Sequence, residues 1–280
     1  TTNTINVSGN WVQDGVFQQG GGTIVFNGTG AQTTDPTTFN NLTVNKPAGT
    51  LSVLGDLVIN GNIDIQAGTV EVSTYDVSRS TLGGSASLGA GAVARFGGSG
   101  IQINNFGTLT ADPTSTIEFY TASSRIIPPI AYGNLILSNG GSNPKIMVGP
   151  TTVRGKLTVN SGSTLTAPGT TLTLEGDYEM NGTFNANGGA LILDGTGNID
   201  GDIIYNDMVV NGAFTLTSGS ATFTGDLSVT SSGDFDAGAI TVISEGDFTN
   251  SGAVSSSGTV TFAGNQIQNI RLLNAISSAS

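Results

Sequence analysis

The feature that most constrains the fold of this chain is that its sequence repeats itself over long stretches. Residues 9–32 align with residues 176–199 position for position, without a gap. Further matching words are FNNLTVN at 39–45 with YNDMVVN at 205–211, and GDLVIN at 55–60 with GDLSVT at 225–230. Self-similarity of this kind is typical of architectures in which one structural unit stacks on the next.

Two further copies give the length of the smaller unit. A third, weaker copy has its landmarks in TIEF, YGNLILSN and GKLTVN between residues 116 and 160, and a fourth occupies residues 246–265. Equivalent Gly-Asp-type turns lie 176 − 155 = 21 and 246 − 225 = 21 residues apart, and others are separated by 46 or 49 residues, which is two units. One coil therefore has roughly 21–25 residues.

Short words of alternating apolar and polar residues recur throughout, separated by turns that contain Gly, Asn or Asp. Examples are TIVF at 23–26, LTVN at 42–45 and LILD at 191–194. A period of two is typical of β-strands, and no stretch of a dozen residues has the apolar spacing near 3.6 that a helix requires. A coil of this length accommodates three such strands. The sequence therefore predicts an all-β fold, a single elongated parallel β-helix (β-solenoid) of about a dozen coils, on the order of 60 Å long.

The repeat also predicts the internal boundaries of the chain. We expect the β-solenoid to span residues 1–265, with irregular coils at residues 79–131, where the words lose their spacing and prolines occur. Residues 266–280 match no repeat. We expect them to form a C-terminal tail, either a cap or a strand that pairs with another subunit.

Composition limits what this surface can bind. The chain has 8 Lys+Arg against 20 Asp+Glu, a net charge of −12, with no Cys and no His. Such an acidic chain does not displace the counterions of nucleic acids, so we expect no nucleic-acid partner. The missing residue types exclude thiolate zinc sites, cysteine nucleophiles and histidine acid–base catalysis. Since no apolar run approaches the roughly 18 residues of a membrane helix, we also expect no membrane insertion.

The units GNWVQDGVF, GTIVFNGTGAQ, FNNLTVN and GDLVINGNI resemble the repeat regions of large secreted bacterial surface and adhesin-type proteins, which form parallel β-helices. The likeness covers nearly the whole chain, except for the irregular coils and the tail. It implies an extracellular or cell-surface location and a structural or adhesive role, because such segments serve as stalks, fibres and adhesive passengers. The lack of cysteine suits an extracellular prokaryotic protein.

Four aspartates stand at the same position of the Gly-Asp turns: Asp56, Asp177, Asp226 and Asp247. Stacked in one row, their carboxylates would offer Ca²⁺ the oxygen ligands that it prefers. The competing interpretation is an Asx-type turn residue, which is favoured because Asn10 and Lys156 occupy the same position in other units. We expect no cofactor, with calcium at these four aspartates as the alternative.

Some β-helices carry polysaccharide lyase or hydrolase sites, which need carboxylates that converge with Lys, Arg or His. The only local concentration of basic residues here is Lys145, Arg154 and Lys156. Solvated surface charge is the ordinary explanation of such a group. We predict that the chain is not an enzyme and has no catalytic residue.

Two other patterns have ordinary explanations. Thr-x-Thr words form ice-binding arrays when every coil carries one on the same face, but here they begin unevenly at residues 108, 164, 171 and 215, which favours plain β-propensity. Aromatic residues could form a sugar-stacking strip, but their alignment between repeats indicates core positions first. These aromatic residues are Trp11, Phe17, Phe26, Phe39, Tyr132, Phe184 and Tyr205.

The end coils of a solenoid expose strand edges unless something covers them. The first strand-like word is TINV at residues 4–7, and the tail from residue 266 is apolar. We predict that these segments form subunit contacts. The candidate residues are Thr4, Ile5, Val7, Ile267, Ile270, Leu272, Leu273 and Ile276.

Taken together, these patterns predict an extracellular structural protein, a self-assembling surface-fibre subunit whose copies stack head to tail. Head-to-tail contacts that do not close into a ring produce filaments. The alternative is an adhesin passenger segment that binds cell-surface glycans or proteins through residues 79–131. A β-helical polysaccharide-degrading enzyme is the third interpretation.

Overall fold

The computed structural model describes residues 3–98 and 105–277, and over these ranges the chain forms 36 β-strands and no helix. Strands pair in parallel with the equivalent strand of the next coil, as in Leu135–Leu157 and Leu157–Tyr178. The chain is a parallel β-solenoid of about 13 turns. The fold class predicted from the repeats is confirmed.

Three strands make one coil, so the wall of the solenoid has three faces. Face 1 contains β1 (Thr4–Val7), β2 (Thr23–Phe26), the first parts of β5 (Asn41–Val53) and β7 (Ile63–Glu71), β9 (Gly83–Leu88), β11 (Phe106–Ala111), β14 (Ala131–Tyr132), β17 (Thr151–Val153), β20 (Thr171–Leu174), β23 (Ala190–Leu193), β26 (Asp207–Val210), β29 (Leu227–Val229), β32 (Phe248–Asn250) and β35 (Ile270–Leu272).

Face 2 contains β3 (Gln32–Thr34), the second parts of β5 and β7, β10 (Val93–Phe96), β12 (Thr116–Phe119), β15 (Asn134–Leu137), β18 (Leu157–Val159), β21 (Tyr178–Met180), β24 (Thr196–Asp200), β27 (Ala213–Leu216), β30 (Asp234–Asp236), β33 (Ala253–Ser255) and β36 (Ile276–Ser277). Face 3 contains β4 (Thr37–Phe39), β6 (Leu57–Ile59), β8 (Val77–Ser78), β13 (Arg125–Ile127), β16 (Lys145–Met147), β19 (Thr164–Thr166), β22 (Thr183–Asn185), β25 (Ile203–Tyr205), β28 (Ala221–Phe223), β31 (Val242–Ser244) and β34 (Val260–Phe262).

The core is a narrow column along the axis of the solenoid, because every second residue of a strand points inward. In face 1 the in-register residues Leu172, Leu191, Met208, Leu227 and Phe248 are all buried. Burying one such side chain contributes roughly 1.5–3 kcal/mol. Because each inward residue packs on its equivalents one coil before and after, stability depends on neighbouring coils.

Coil length varies because the corners vary, whereas most strands keep three or four residues. Paired residues are 213 − 196 = 17 positions apart at Thr196–Ala213 and 93 − 69 = 24 apart at Val93–Thr69. The long strands β5 and β7 turn the corner from face 1 to face 2, with a register shift in the ladder after Val44. The spacing of the Gly-Asp turns in the sequence therefore predicted the length of the longer coils. The shorter coils have shorter corners.

The Gly-Asx turns bind one coil to the next at the corners. In one row, Oδ1 of Asp207 accepts the main-chain N–H of Asp226, Oδ1 of Asp226 accepts that of Asp247, and Oδ1 of Asp247 accepts that of Asn269, at 2.8–2.9 Å. Asp207 follows Asn206, but the glycines before Asp226 and Asp247 are required by close packing, since a Cβ on Gly246 would overlap the carbonyl oxygen of Gly225 below it. Each aspartate thus acts as a stacked turn residue.

The structure shows which matching words occupy equivalent places. Residues 9–32 and 176–199 lie on the same faces, and the aromatic residues coincide: Trp11 contacts Phe17 at 4.8 Å between ring centroids, and Tyr178 contacts Phe184 at 6.5 Å. The two Gly-Asp-Leu words differ, because β6, which follows Asp56, lies on face 3, whereas β29 lies on face 1. The same Gly-Asp-Leu sequence therefore precedes strands on more than one face of the solenoid.

Candidate functional site

The N-terminal end coil, residues 3–20, exposes apolar side chains, one of which has a buried equivalent in the next coil. β1 is the first strand of its ladder and pairs with β2 through Thr4–Thr23, Ile5–Ile24 and Val7–Phe26. Ile5 is 46% exposed, whereas its partner Ile24 is buried. Val16, further along the same coil, is 91% exposed.

The C-terminal end coil, residues 258–277, has the same character. Its strands extend the ladders of the preceding coil, since Ile270 pairs with Phe248 and Ile276 with Val254. Ile270 is 48% exposed although Phe248, directly below it, is buried. Ile267, Leu272 and Leu273 are also exposed, and Ile276 packs partly against the core. The described part of the tail, residues 266–277, thus continues the solenoid; the rest of the tail lies outside the described residues.

A corner held by a glutamine side chain, which the sequence patterns did not predict, lies between β34 and β35 in the C-terminal end coil. Gln268 Nε2 donates to the carbonyl oxygens of Ser244 and Gly246 at 3.0 and 2.7 Å, and its Oε1 accepts the N–H of Gly264. Gln32 makes the equivalent bonds near the other end, to Val7 and Gly9 oxygens and from Gly28 N–H. The signal in the sequence is the shared spacing Phe-x-Gly-x-x-x-Gln at residues 26–32 and 262–268.

The two end coils are almost free of charge. Residues 3–20 contain one charged residue, Asp14, and residues 258–277 contain one, Arg271. Residues 21–257 therefore carry 7 − 19 = −12, the entire net charge of the chain. Two end coils can approach each other with little like-charge repulsion, whereas the acidic parts of two side walls would repel each other.

The structure does not bring the four candidate calcium ligands together. Asp56 lies at a corner between faces 2 and 3, Asp177 between faces 1 and 2, and only Asp226 and Asp247 are neighbours in one row. Asp56 and Asp177 each accept a main-chain N–H from the next coil, as the other two do. Within residues 3–98 and 105–277, no group of three or more carboxylates could hold a metal ion.

The basic residues divide into a buried and an exposed set. Lys145, 0% exposed, donates from Nζ to the carbonyl oxygens of Thr121 and Ser123, and burial lowers the pKa of its amine. Lys156 instead pairs with Glu179 at 2.5 Å on the wall, and this contact raises the pKa of the lysine. Arg154 donates to the Ala111 carbonyl. The three residues singled out from the sequence thus have separate partners and do not converge on one point.

Three other cations are buried in the same way. Lys46 donates to Gly28 O, Gly30 O and Gln32 Oε1 at 2.7–2.8 Å, and burial lowers its pKa. Arg79 donates to the carbonyl oxygens of Gly61 and Thr81. Arg125 donates to Gly98 O and stacks on two phenylalanine rings, and burial lowers its pKa to about 10. These side chains satisfy main-chain carbonyls of irregular corners.

The irregular coils also carry an ion network on face 2. The Arg95 guanidinium bridges Glu71 and Glu118 of the coils on either side, at 2.7 Å each, and lies 5.0 Å from the centre of the Tyr120 ring. The Tyr120 hydroxyl bonds to Glu71. Burial, followed by this bond, raises the pKa of Tyr120 to about 12.

Two expected patterns can be checked against this geometry. The Thr-x-Thr words fall on all three faces, on β11 and β20 of face 1, β19 of face 3 and β27 of face 2. The aromatic positions belong to the core, as predicted: Phe26, Phe39, Tyr132 and Tyr205 are buried, and the remaining three pack against them.

Comparisons with protein-family models, with curated proteins and with solved structures returned no match for this chain. A search of residues 3–98 and 105–277 for a helix long and apolar enough to cross a membrane found none. The two end coils, with their exposed apolar side chains and low charge, are the strongest candidate functional surface.

Proposed function

We propose that this chain is an extracellular structural protein, a filament subunit whose copies stack end to end, C-terminal coil on N-terminal coil. The proposal is supported by the strand geometry. All ladders are parallel, so β35 of one copy and β1 of the next can continue the ladder of face 1 with the same polarity. Head-to-tail contacts repeated in this way give an open filament.

The exposed side chains support the same arrangement. Ile5, Ile270 and Leu272 belong to strands of the two end coils, and a coil stacked on either end would cover them as coils cover Ile24 and Phe248. Burying apolar area is worth about 25 cal/mol per Å². The near-neutral ends make this contact electrostatically less unfavourable than a contact between the acidic parts of the side walls.

The extracellular location and a bacterial surface origin rest on the resemblance of the repeat words to adhesin-type proteins and on the lack of cysteine. We propose the chain itself as its principal partner, with cell-surface glycans or proteins as additional ones. Nucleic acid is not a proposed partner, because the surface is acidic.

Negative-stain electron microscopy of the 280-residue chain tests the proposal. We expect filaments with an axial repeat on the order of 60 Å, the height of about 13 coils. Ile5→Glu or Leu272→Glu should leave short rods, because each places a carboxylate in the stacked contact. Ile204→Glu is the matched control, since Ile204 is 48% exposed, close to the 46% of Ile5 and the 51% of Leu272, but lies on the side wall. Short rods from the unmodified chain at every concentration would contradict the proposal.

The second candidate function is an adhesive module, favoured by the Arg95 network, by exposed Leu82 on the irregular coils and by exposed Tyr75 shortly before them. Carboxylates, a guanidinium and an aromatic ring together are groups that bind sugar hydroxyls and rings. Glycan-array binding that Arg95→Ala abolishes, by rods that do not form filaments, would favour this function over the filament.

A further inference from the structure

One sector of the side wall carries no exposed charge. It comprises face 3 over four consecutive coils with the corners on both sides, residues 120–130, 138–150, 160–170 and 181–189. Its only charged residues, Arg125 and Lys145, are buried, and their cationic groups donate to main-chain carbonyls. We call this sector the uncharged panel.

Acidic residues lie beyond the panel along the axis in both directions and on face 2. On face 3 nearer the N-terminus the corners carry Asp35, Asp56 and Asp76, and nearer the C-terminus they carry Asp202 and Asp226. Face 2 of the same coils carries Glu118 and Glu179. In a chain of net charge −12, the panel is therefore a neutral part of the wall, and it adjoins the uncharged strands of face 1 in the same coils.

The centre of the panel is apolar. Ile126 and Ile146 are neighbours in the ladder between β13 and β16, and both point outward. Val148, 56% exposed, and exposed Pro150 lie at the next corner, and the chain between them passes close to Pro129 of the preceding coil. Five adjoining aliphatic and proline side chains form a patch, which differs from the single exposed hydrophobic residues normal on a surface.

We propose that two copies of this chain pair side by side through the uncharged panel. Their negative charges repel each other over most of the wall, and the panel is a part of the wall where two copies can meet without facing acidic groups. A twofold arrangement lets the same patch serve both partners. The inference concerns the side wall and does not rest on end-to-end stacking.

The size of the panel sets the expected strength. Four coils at about 4.8 Å by roughly 20 Å of width give on the order of 400 Å² per copy, about half of a standard interface. The pairing of single rods should therefore be weak. In a filament the same contact would be repeated once per subunit, and the combined effect would bundle filaments laterally.

Sedimentation velocity between about 10 and 500 µM tests the pairing, in a concentration range suited to a small interface. The chain carries Leu272→Glu throughout, so that any end-to-end stacking is suppressed and the side-wall contact alone is measured. We expect a monomer–dimer equilibrium. Ile146→Glu should weaken it at least about tenfold, since it places two carboxylates in an apolar contact. Ile243→Glu is the control, because Ile243 is also a half-exposed outward isoleucine of face 3 but lies outside the panel.

Salt gives an independent readout. Raising NaCl from about 50 to 500 mM should strengthen the dimer, because screening reduces repulsion between acidic walls while the apolar contact persists. Three results would overturn the proposal: a monomer over the whole concentration range, a dimer that Ile146→Glu leaves intact, or a dimer weakened equally by Ile146→Glu and Ile243→Glu. Failure of filament formation in the unmodified chain would leave these results unaffected, so the two proposals are tested separately.

Discussion

Two regions of the solenoid build the same three-faced coil with different corner chemistry. In the first, residues 41–156, four cationic side chains are buried in the corners and donate to main-chain carbonyls: Lys46, Arg79, Arg125 and Lys145. In the second, residues 157–277, the only basic residue is Arg271, which is exposed. Its corners are closed by rows of Asx side chains and by glycines in close contact.

The reason for the difference is the length of the corners. Long or irregular corners contain carbonyl groups that no ladder can satisfy, and a buried carbonyl without a donor is costly. A lysine or arginine reaches several of them at once. In the second region the corner carbonyls that need a side-chain donor are bonded by uncharged amides, as Gln268 bonds those of Ser244 and Gly246. The matching words FNNLTVNK and YNDMVVNG show a buried cation in one region and a close-packed glycine in the other. Lys46 aligns with Gly212, where a Cβ would overlap the Gly195 carbonyl oxygen.

The largest effect should come from alkali, which we expect to unfold residues 157–277 before residues 41–156. Burial raises the pKa of Tyr178 and Tyr205, so the folded chain keeps protons that the unfolded chain releases near pH 10. The stability from these tyrosines is complete below pH 10 and is lost above it. Burial lowers the pKa of Lys46, Lys145 and Arg125, the last to about 10, so the cost of burying these charges disappears over the same pH range.

The order of unfolding can be followed by tyrosine absorbance at 295 nm during an alkaline titration. In the double variant Tyr178→Phe/Tyr205→Phe, the first cooperative rise in absorbance, at the lower pH, should become smaller. In Tyr120→Phe/Tyr132→Phe a later rise should become smaller, because these tyrosines, whose pKa values are also raised, lie in the region where the cations compensate. A single common step, or the reverse order, would contradict the comparison.

A substitution of Lys46 should have the next largest effect. Lys46→Met keeps most of the buried stem but leaves Gly28 O, Gly30 O and Gln32 Oε1 without their donor. We expect a loss of about 3–5 kcal/mol in the free energy of unfolding, the usual cost of removing one partner of a buried charged contact. Guanidinium denaturation measures it, with hydrogen exchange of the neighbouring coils as a local check.

Lys156→Met is the control for Lys46→Met. Lys156 pairs with Glu179 on the exposed wall, so its removal should cost less than about 1 kcal/mol. If the two substitutions cost the same, the buried cations would not be structural elements of the irregular corners.

In the second region, residues 157–277, Asp226→Ala should lower the free energy of unfolding by about 1 kcal/mol, because the N–H of Asp247 loses its acceptor. Asp226→Asn keeps an Oδ1 acceptor and should stay close to the unmodified chain. Calcium should change neither result. Stabilisation of the unmodified chain by calcium that Asp226→Ala removes would instead show that this row binds the ion.

The strands could be predicted from the sequence because inward and outward residues alternate within each word, and this pattern needs no knowledge of the corners. The face on which a word lies could not. A Gly-Asp word can precede a strand of any face. Asp56, Asp177 and Asp226 therefore look equivalent in sequence although they lie at three different corners. The length of the corners decides the face, and corner length follows from contacts between coils.

The buried cations were missed for a related reason, since nothing next to Lys46 distinguishes it from Lys156. A signal does exist over a longer range. Lys46 occurs with its partner Gln32, whereas the matching repeat has Gly212 and Ile199 at the two positions. Such paired differences between repeats identify residues that contact each other.

The smallest effect should come from Arg95, which joins Glu71 and Glu118 across three coils on the outer wall. Its side chain is 40% exposed, so solvent screens both pairs. Arg95→Met should cost no more than about 1 kcal/mol, and less in about 1 M NaCl. Denaturation at the two salt concentrations measures this, with Lys156→Met as the single-pair control. A cost of several kcal/mol that persists in high salt would show that Arg95 contributes as much to stability as the buried cations. The first region would then not contain two kinds of cation, one that stabilises the corners and one that lies exposed on the outer wall.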